Sequence, residues 1–165
     1  MELIQLHQSG IIKQIGNLKI NVKIAILHDD LMRKGGAERV AQYFVERDYD
    51  IAFYIGPEDF YEKKIILEYF PDAFFPEDLI KNFSGPEVVM ASTKFLVFSL
   101  SNDSGVSHML STNLCPLLKL FGQRDPEKFT PRSSKIKTIS SKEYGNNDIN
   151  SITIKEVIET IEKLL

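Results

Sequence analysis

The stretch of sequence that decides the fold runs from Phe95 to His108 and reads FLVFSLSNDSGVSH. Its apolar first part, which ends at Leu100, has the length of a strand, and small polar residues follow as far as Gly105. A helical pattern then covers Val106–Leu114 and carries the histidine near its beginning. Strand, small-residue loop and helix in this order form the repeating unit of an α/β fold, which is the predicted fold class.

The same alternation extends in both directions along the chain. Apolar runs of strand length lie at 22–27, 51–55, 73–75, 117–121 and 136–139, and helical patterns start at 37, 61, 86 and 153. Parallel neighbours need crossover connections, so short strands alternating with helices predict a doubly wound, mainly parallel, Rossmann-like sheet. We expect this domain over residues 21–165, after a poorly defined N-terminal segment at 1–20, with loops at 123–134 and 141–151.

The composition excludes several classes of protein. Of the 165 residues, 43% are apolar and 26% are charged, which argues against a disordered or collagen-like chain. A net charge of -3 gives no strong attraction for nucleic acid, so none is predicted as a partner. Cys115 is the single cysteine, and no Cys/His cluster suggests zinc, so neither a metal nor a cofactor is predicted. The sequence has neither a membrane-length apolar run nor the pattern of a signal peptide, which predicts a cytoplasmic location.

The loop that precedes the helix at 106–114 is the first candidate site. In an open parallel sheet, ligands bind outside the carboxyl ends of the strands. The small residues Ser104 and Gly105 allow close approach of the backbone, and free amide groups at the start of a helix favour an anion such as a diphosphate. His108 is placed to reach a phosphate oxygen. The alternative interpretation is that Asp103 and Ser104 are ordinary helix caps and His108 is a structural group.

Two further loops occupy equivalent positions after earlier strands. Gly35 and Gly36 permit close backbone approach beside Arg39, but the spacing of a dinucleotide or P-loop motif is absent. In the loop at 56–59, Glu58 is a candidate acceptor for ribose hydroxyls. The alternative for both loops is a simple turn at the beginning of a helix.

The chain from about residue 48 to its end resembles the C-terminal, donor-binding domain of glycosyltransferase family 9, the ADP-heptose:lipopolysaccharide heptosyltransferases. The resemblance is carried by Asn102–His108, by Pro116 before an apolar strand, and by the segment Phe121–Pro126, which reads FGQRDP. A Gly-x-Glu/Asp loop at 56–59 and the closing helical segment at 152–165 add to it. The resemblance implies that Asp103, Ser104, Gly105 and His108 hold the diphosphate of a nucleotide-sugar donor.

Residues 23–40 resemble a different family. The strand followed by Gly35-Gly36-Ala37-Glu38-Arg39 is similar to the start of family 4 glycosyltransferases. Both families have the GT-B architecture, in which two Rossmann-like halves enclose a cleft, so the resemblance implies that this chain is one half. An acceptor-side domain or a second chain is then the implied partner, and a glycolipid acceptor implies peripheral association with the inner membrane.

The leading hypothesis is a glycosyltransferase-type domain that binds a nucleotide-diphosphate sugar, ADP-heptose-like, for assembly of lipopolysaccharide or cell-envelope polysaccharide. Transfer of a hexose or heptose requires a general base. Asp29, at the end of a predicted strand, is the candidate for this role. The first alternative is a non-catalytic nucleotide-binding module, or an inactive remnant that needs a partner domain. The second is a structural α/β domain whose glycine loops are turns.

Overall fold

The computed structural model describes residues 10, 12–14, 22–27, 37–55, 60–80, 82–112 and 115–165. The strands in these residues are β1 (Val22–Leu27), β2 (Asp50–Tyr54), β3 (Phe98–Asn102), β4 (Leu117–Phe121) and β5 (Ile136–Ser140). The helices are α1 (Ala37–Val45), α2 (Phe60–Tyr69), α3 (Pro76–Leu79), α4 (Gly85–Ser92), α5 (Gly105–Leu110), α6 (Pro126–Phe129) and α7 (Ile154–Glu162).

The strands form one five-stranded sheet in the order β2-β1-β3-β4-β5, and every neighbouring pair is parallel. The chain passes from β1 to β2 on one side and then crosses to β3 on the other side of β1. The strand order therefore reverses between β1 and β3, and ligands bind at such a switch point in open α/β sheets.

Helices cover both faces of the sheet, which confirms the predicted doubly wound α/β class. On one face, Leu118 and Leu120 of β4 pack in the same cluster as Phe44 of α1 and Ile161 of α7. On the other face, Leu117 of β4 packs with residues of α4 and α5. Successive side chains of a strand point to opposite faces, so a strand covered on both sides is apolar at nearly every position.

The last helix forms as its sequence pattern predicts. Thr153 is the N-cap of α7, and its hydroxyl accepts a hydrogen bond from the Glu156 amide at 3.3 Å. Val157 and Ile161 lie on one side of the helix, and both are buried against the sheet. The cap and the apolar stripe together fix where α7 begins and which side faces the core.

Three of the boundaries that differ from the sequence predictions have a clear structural cause. The strand predicted from Phe95 begins three residues later, because the Phe95 amide donates to the Ser92 carbonyl in a turn that continues α4. The run at 73–75 makes a single bridge, between Phe74 and Ala52, because Pro76 starts α3 directly afterwards. The helix after Gly105 ends at residue 110, where the hydroxyls of Ser111 and Thr112 bond to carbonyls of its last turn.

The segments predicted as loops contain short helical turns. Residues 123–134 include α6, which begins at Pro126 after the N-cap Asp125. Residues 141–151 include two 3-10 turns, Ser141–Tyr144 and Ile149–Ser151. In the described part of the chain, no helix is long and apolar enough to cross a bilayer.

Candidate functional site

The anion loop, residues 102–105, is the loop predicted to bind a diphosphate. It lies at the carboxyl end of β3, beside the switch point. Asn102 ends the strand, Asp103 and Ser104 form the connection, and Gly105 begins α5. The Asp103 amide donates to the carbonyl of Leu120 on β4 at 3.1 Å, which holds the loop against the neighbouring strand. The structure therefore places Asp103, Ser104 and Gly105 together at the edge of the sheet where ligands bind in this fold.

The Asp103 carboxylate is held by two cations. Its Oδ1 lies 3.2 Å from Nζ of Lys119, and its Oδ2 lies 3.4 Å from a guanidinium nitrogen of Arg124. The Lys119 side chain is 0% exposed and that of Asp103 is 7% exposed, whereas Arg124 is 65% exposed. A carboxylate this far from water needs such partners, because burying an unpaired charge is costly.

Lys119 is a residue of the site that the sequence analysis missed. It lies in the middle of β4, whose residues are all buried, and its ammonium also donates to the Phe129 carbonyl at 2.8 Å. Burial lowers the pKa of the Lys119 ammonium, and its hydrogen bond to Asp103 opposes that shift. The sequence did contain a signal for this role, because Lys119 is the one charged residue in the apolar strand 117–121. A lysine in a buried strand nearly always has a charged or polar partner, so a partner for Lys119 could have been expected.

The serines of the loop make local hydrogen bonds. The Ser107 hydroxyl donates to the Ser104 carbonyl at 2.7 Å, and it accepts a long hydrogen bond from the Ser104 amide at 3.4 Å. Among the described residues, Ser104 Oγ and Asn102 Oδ1 are buried without a hydrogen-bond partner. Gly105 is exposed, and a Cβ placed there would meet nothing within 4 Å. The beginning of α5 is therefore exposed to solvent, with open space on the Cβ side of Gly105.

His108 lies in α5 and is exposed to solvent. Its backbone carbonyl accepts a hydrogen bond from the Ser111 hydroxyl at 2.6 Å, and this bond stabilises the C-terminal end of α5. The structure thus brings His108 onto the same short helix that Gly105 begins. The side chain is exposed, and His108 is not among the residues that line the neighbouring polar cleft at the ends of β3 and β4.

A cleft of about 400 Å³ borders the loop at the carboxyl ends of β3 and β4. Polar side chains dominate its lining, among them Asn102, Gln123, Arg124 and Asn150. Its far wall is the segment 147–150, which approaches β4 closely: a Cβ on Gly122 would lie 3.3 Å from the Asn147 carbonyl oxygen. A polar cleft that shares residues with the anion loop is suited to a hydrophilic ligand.

The remaining candidate residues are not part of the described site. Asp29, Gly35, Gly36 and Glu58 lie outside the described residues. Cys115 is buried, and burial raises the pKa of its thiol, so its environment is that of a structural cysteine. Within the described ranges, no group of three His, Cys, Asp or Glu side chains could hold a metal ion.

Solved structures with the same fold include heptosyltransferases. The chain matches E. coli heptosyltransferase WaaC with ADP at a TM-score of 0.70 and 15% identity, over 87% of this chain and 44% of that one. It matches the glycosyl transferase family 9 structure from Veillonella parvula at a TM-score of 0.71 and 17% identity, over 96% and 50%. The match to E. coli ADP-heptose lps heptosyltransferase II has a TM-score of 0.67 and 17% identity, over 95% and 50%.

The chain therefore spans about half the length of these three structures. Comparison with curated proteins finds no relative by sequence. The model of glycosyltransferase family 9 (heptosyltransferase) matches residues 38–156, a range that contains the anion loop, both cations that hold Asp103, and the polar cleft. On this match, the chain belongs to glycosyltransferase family 9, the heptosyltransferase family.

Proposed function

We propose that this chain is a donor-binding half of a family 9 glycosyltransferase and holds a nucleotide-diphosphate sugar, ADP-heptose-like, for lipopolysaccharide or cell-envelope polysaccharide assembly. One observation carries the proposal. The family motif at 102–108 lies at the carboxyl end of β3, beside the switch point of the sheet, with Gly105 and His108 exposed to solvent. Ligands of doubly wound folds bind at this place.

The diphosphate is proposed to lie against the backbone of Ser104 and Gly105, with His108 beside it. Amides at the beginning of α5 would donate to the phosphate oxygens, and the imidazole would add a further donor. The carboxylate of Asp103 does not oppose this ligand, because Lys119 and Arg124 compensate its charge. The charges around the loop therefore support the proposal, in addition to the position of the loop in the sheet.

The choice of an ADP-sugar follows from the structural relatives. Two of the matching E. coli structures are described as WaaC with ADP and WaaC with ADP-2-deoxy-2-fluoro heptose. In the proposed reaction an acceptor hydroxyl attacks the anomeric carbon, the bond from that carbon to the diphosphate breaks, and a base accepts the hydroxyl proton. The loop at 103–108 would stabilise the negative charge that develops on the leaving diphosphate.

The base and the acceptor site complete this proposal. Asp29 is the proposed base, because it comes two residues after the end of β1 in the sequence. Gly35, Gly36 and Glu58 remain proposed donor-binding residues on their sequence positions after β1 and β2. An acceptor-side domain or second chain would face this edge. We place the reaction in the cytoplasm, at an inner-membrane glycolipid.

A second candidate is a non-catalytic nucleotide-binding module. The chain matches 44% to 50% of the length of two of the solved structures, so the turnover of this chain has to be tested directly. This candidate shares the donor site and differs in turnover. A transfer assay with a radiolabelled ADP-sugar and envelope acceptors separates the two, since sugar transfer by the chain alone excludes the module.

Isothermal titration calorimetry with ADP tests the shared donor site. We expect the wild-type chain to bind ADP, and His108→Ala to weaken binding about tenfold, the loss of one hydrogen bond to a charged group. Adenosine, which lacks the phosphates, should bind both proteins equally. No heat at millimolar ADP, or equal ADP affinity of both proteins, would contradict the proposal.

A further inference from the structure

The side chain of Arg124 lies at the rim of the cleft, between the anion loop and solvent. We propose that Arg124 binds the diphosphate of the donor, and that Lys119 is a positioning residue that neutralises Asp103 and fixes the support on which Arg124 rests. This inference rests on the proposed function, because it assumes that a diphosphate lies at the loop. It adds two residues that the family motif at 102–108 does not contain.

The charges around Asp103 are unequal. One carboxylate faces two cations at 3.2 and 3.4 Å, so Lys119, Arg124 and Asp103 together carry a net charge of +1. Without the lysine, the carboxylate would stand beside the proposed diphosphate with a single exposed partner, and like charges repel strongly where water is excluded. The buried lysine therefore turns an anion-repelling position into one that accepts an anion.

Lys119 acts on Arg124 through two contacts. Its ammonium bonds to Asp103, which accepts from Arg124, and to the carbonyl of Phe129 at 2.8 Å. The ring of Phe129 lies 5.3 Å from the Arg124 guanidinium carbon, within the range of a cation-π contact. Both supports of Arg124, the carboxylate and the aromatic ring, are thus held by the same buried ammonium. Lys119 itself is fully buried, so it acts by positioning Arg124 and does not contact the ligand.

Arg124 keeps most of its hydrogen-bonding capacity for a ligand. A guanidinium has five N–H donors in a planar fork, and one of its nitrogens contacts Asp103 at 3.4 Å, longer than most charge-assisted hydrogen bonds. The side chain is 65% exposed and lines the cleft of about 400 Å³ together with Asn102 and Asp103. The ligand class that fits a planar, bidentate donor beside an anion loop is a phosphate or diphosphate.

The first test compares Arg124→Gln with Arg132→Gln, a matched control on an exposed residue of the segment between α6 and β5. Each full chain is titrated calorimetrically with ADP, inorganic pyrophosphate and adenosine. We expect Arg124→Gln to weaken ADP and pyrophosphate binding about tenfold or more and to leave adenosine unchanged. Arg132→Gln should match the wild type for all three probes.

The second test addresses Lys119 by rescue. Lys119→Met should weaken ADP binding, because Asp103 then keeps an uncompensated charge beside the diphosphate. The double variant Lys119→Met/Asp103→Asn removes that charge and should bind ADP more tightly than Lys119→Met alone. A purely structural role predicts no such recovery in affinity among variants that thermal unfolding shows to be folded.

The outcomes separate this inference from the proposed function. If the wild type binds ADP and Arg124→Gln binds it equally well, the inference is wrong and the donor site stands. If pyrophosphate binding depends on Arg124 but ADP binds no better than pyrophosphate, the inference stands and the nucleotide assignment fails. If neither anion binds the wild type, both are overturned.

Discussion

The ammonium of Lys119 lies 3.2 Å from the carboxylate of Asp103, and both side chains are withdrawn from water. Asp103 directly follows β3, and Lys119 lies in the middle of the adjacent strand β4. This ion pair joins the proposed donor loop to the interior of the sheet. Removing either charge of the pair should therefore affect the stability of the fold as well as the binding of the donor.

Lys119→Met should destabilise the fold by about 3 kcal/mol, because it leaves a buried carboxylate with the exposed Arg124 as its partner. The double variant with Asp103→Asn should recover most of that loss, since the buried charge is then gone. Urea unfolding of the two variants and the wild type measures both values. A double variant less stable than Lys119→Met would contradict this account of the pair.

Ile161→Ala should destabilise the protein by about 2 to 5 kcal/mol, the usual range for truncation of a buried isoleucine. Ile161 is 0% exposed and joins α7 to the core of one sheet face. Glu159→Ala is the control on the same helix, because Glu159 is exposed and forms a surface pair with Lys155 at 3.7 Å. It should change stability by less than about 1 kcal/mol. Similar losses in both variants would show that α7 is not docked as described.

Glu77→Gln should stabilise the fold at neutral pH. Burial raises the pKa of Glu77 above its ordinary value, and Lys63 opposes that shift. A carboxyl group with a raised folded-state pKa binds its proton more tightly in the native state, so its contribution to stability is full at acid pH and is lost as pH rises through that pKa.

The thermal midpoint of Glu77→Gln should therefore exceed that of the wild type at pH 7. The difference should disappear below about pH 4, the ordinary range of a glutamate. Differential scanning calorimetry at both pH values measures it. A wild type that is the more stable protein at pH 7 would refute the prediction.

Cys115 should react slowly with a thiol reagent in the native protein. It is 6% exposed, and burial raises the pKa of its thiol, so little reactive thiolate forms near pH 7. The reaction should accelerate to the rate of a free thiol in denaturant. Rapid native-state labelling, followed by absorbance with an aromatic disulfide reagent, would place Cys115 at the surface instead.

The type and order of most elements could be predicted from the sequence. Apolar runs such as 117–121 have the composition of strands buried on both faces, and the structure confirms that strand with the same bounds. The helix at the C-terminus was equally predictable, because Thr153 and the stripe of Val157 and Ile161 mark its start and its buried side. The predicted boundaries were wrong where a turn joins a helix to a strand, as at Phe95. The hydrogen bonds of such a turn do not change the periodicity of apolar residues, so the sequence pattern does not reveal them.

The candidate site was predictable only in part. The loop at 102–108 could be recognised because its residue types and spacing lie within a single stretch of chain. The ion pairs of Asp103 join it to Lys119 and Arg124, which are 16 and 21 residues away, and no sequence period connects such positions. Their contact depends on the parallel pairing of β3 with β4, which is a property of the folded sheet.

A crystal structure of the chain with ADP tests the central claim most directly. The account predicts density for the diphosphate beside residues 103–108, with oxygens about 2.7 to 3.2 Å from the amides that begin α5 and from the guanidinium of Arg124. Density for ADP elsewhere on the molecule, with no phosphate oxygen within hydrogen-bond distance of the amides that begin α5, would contradict it.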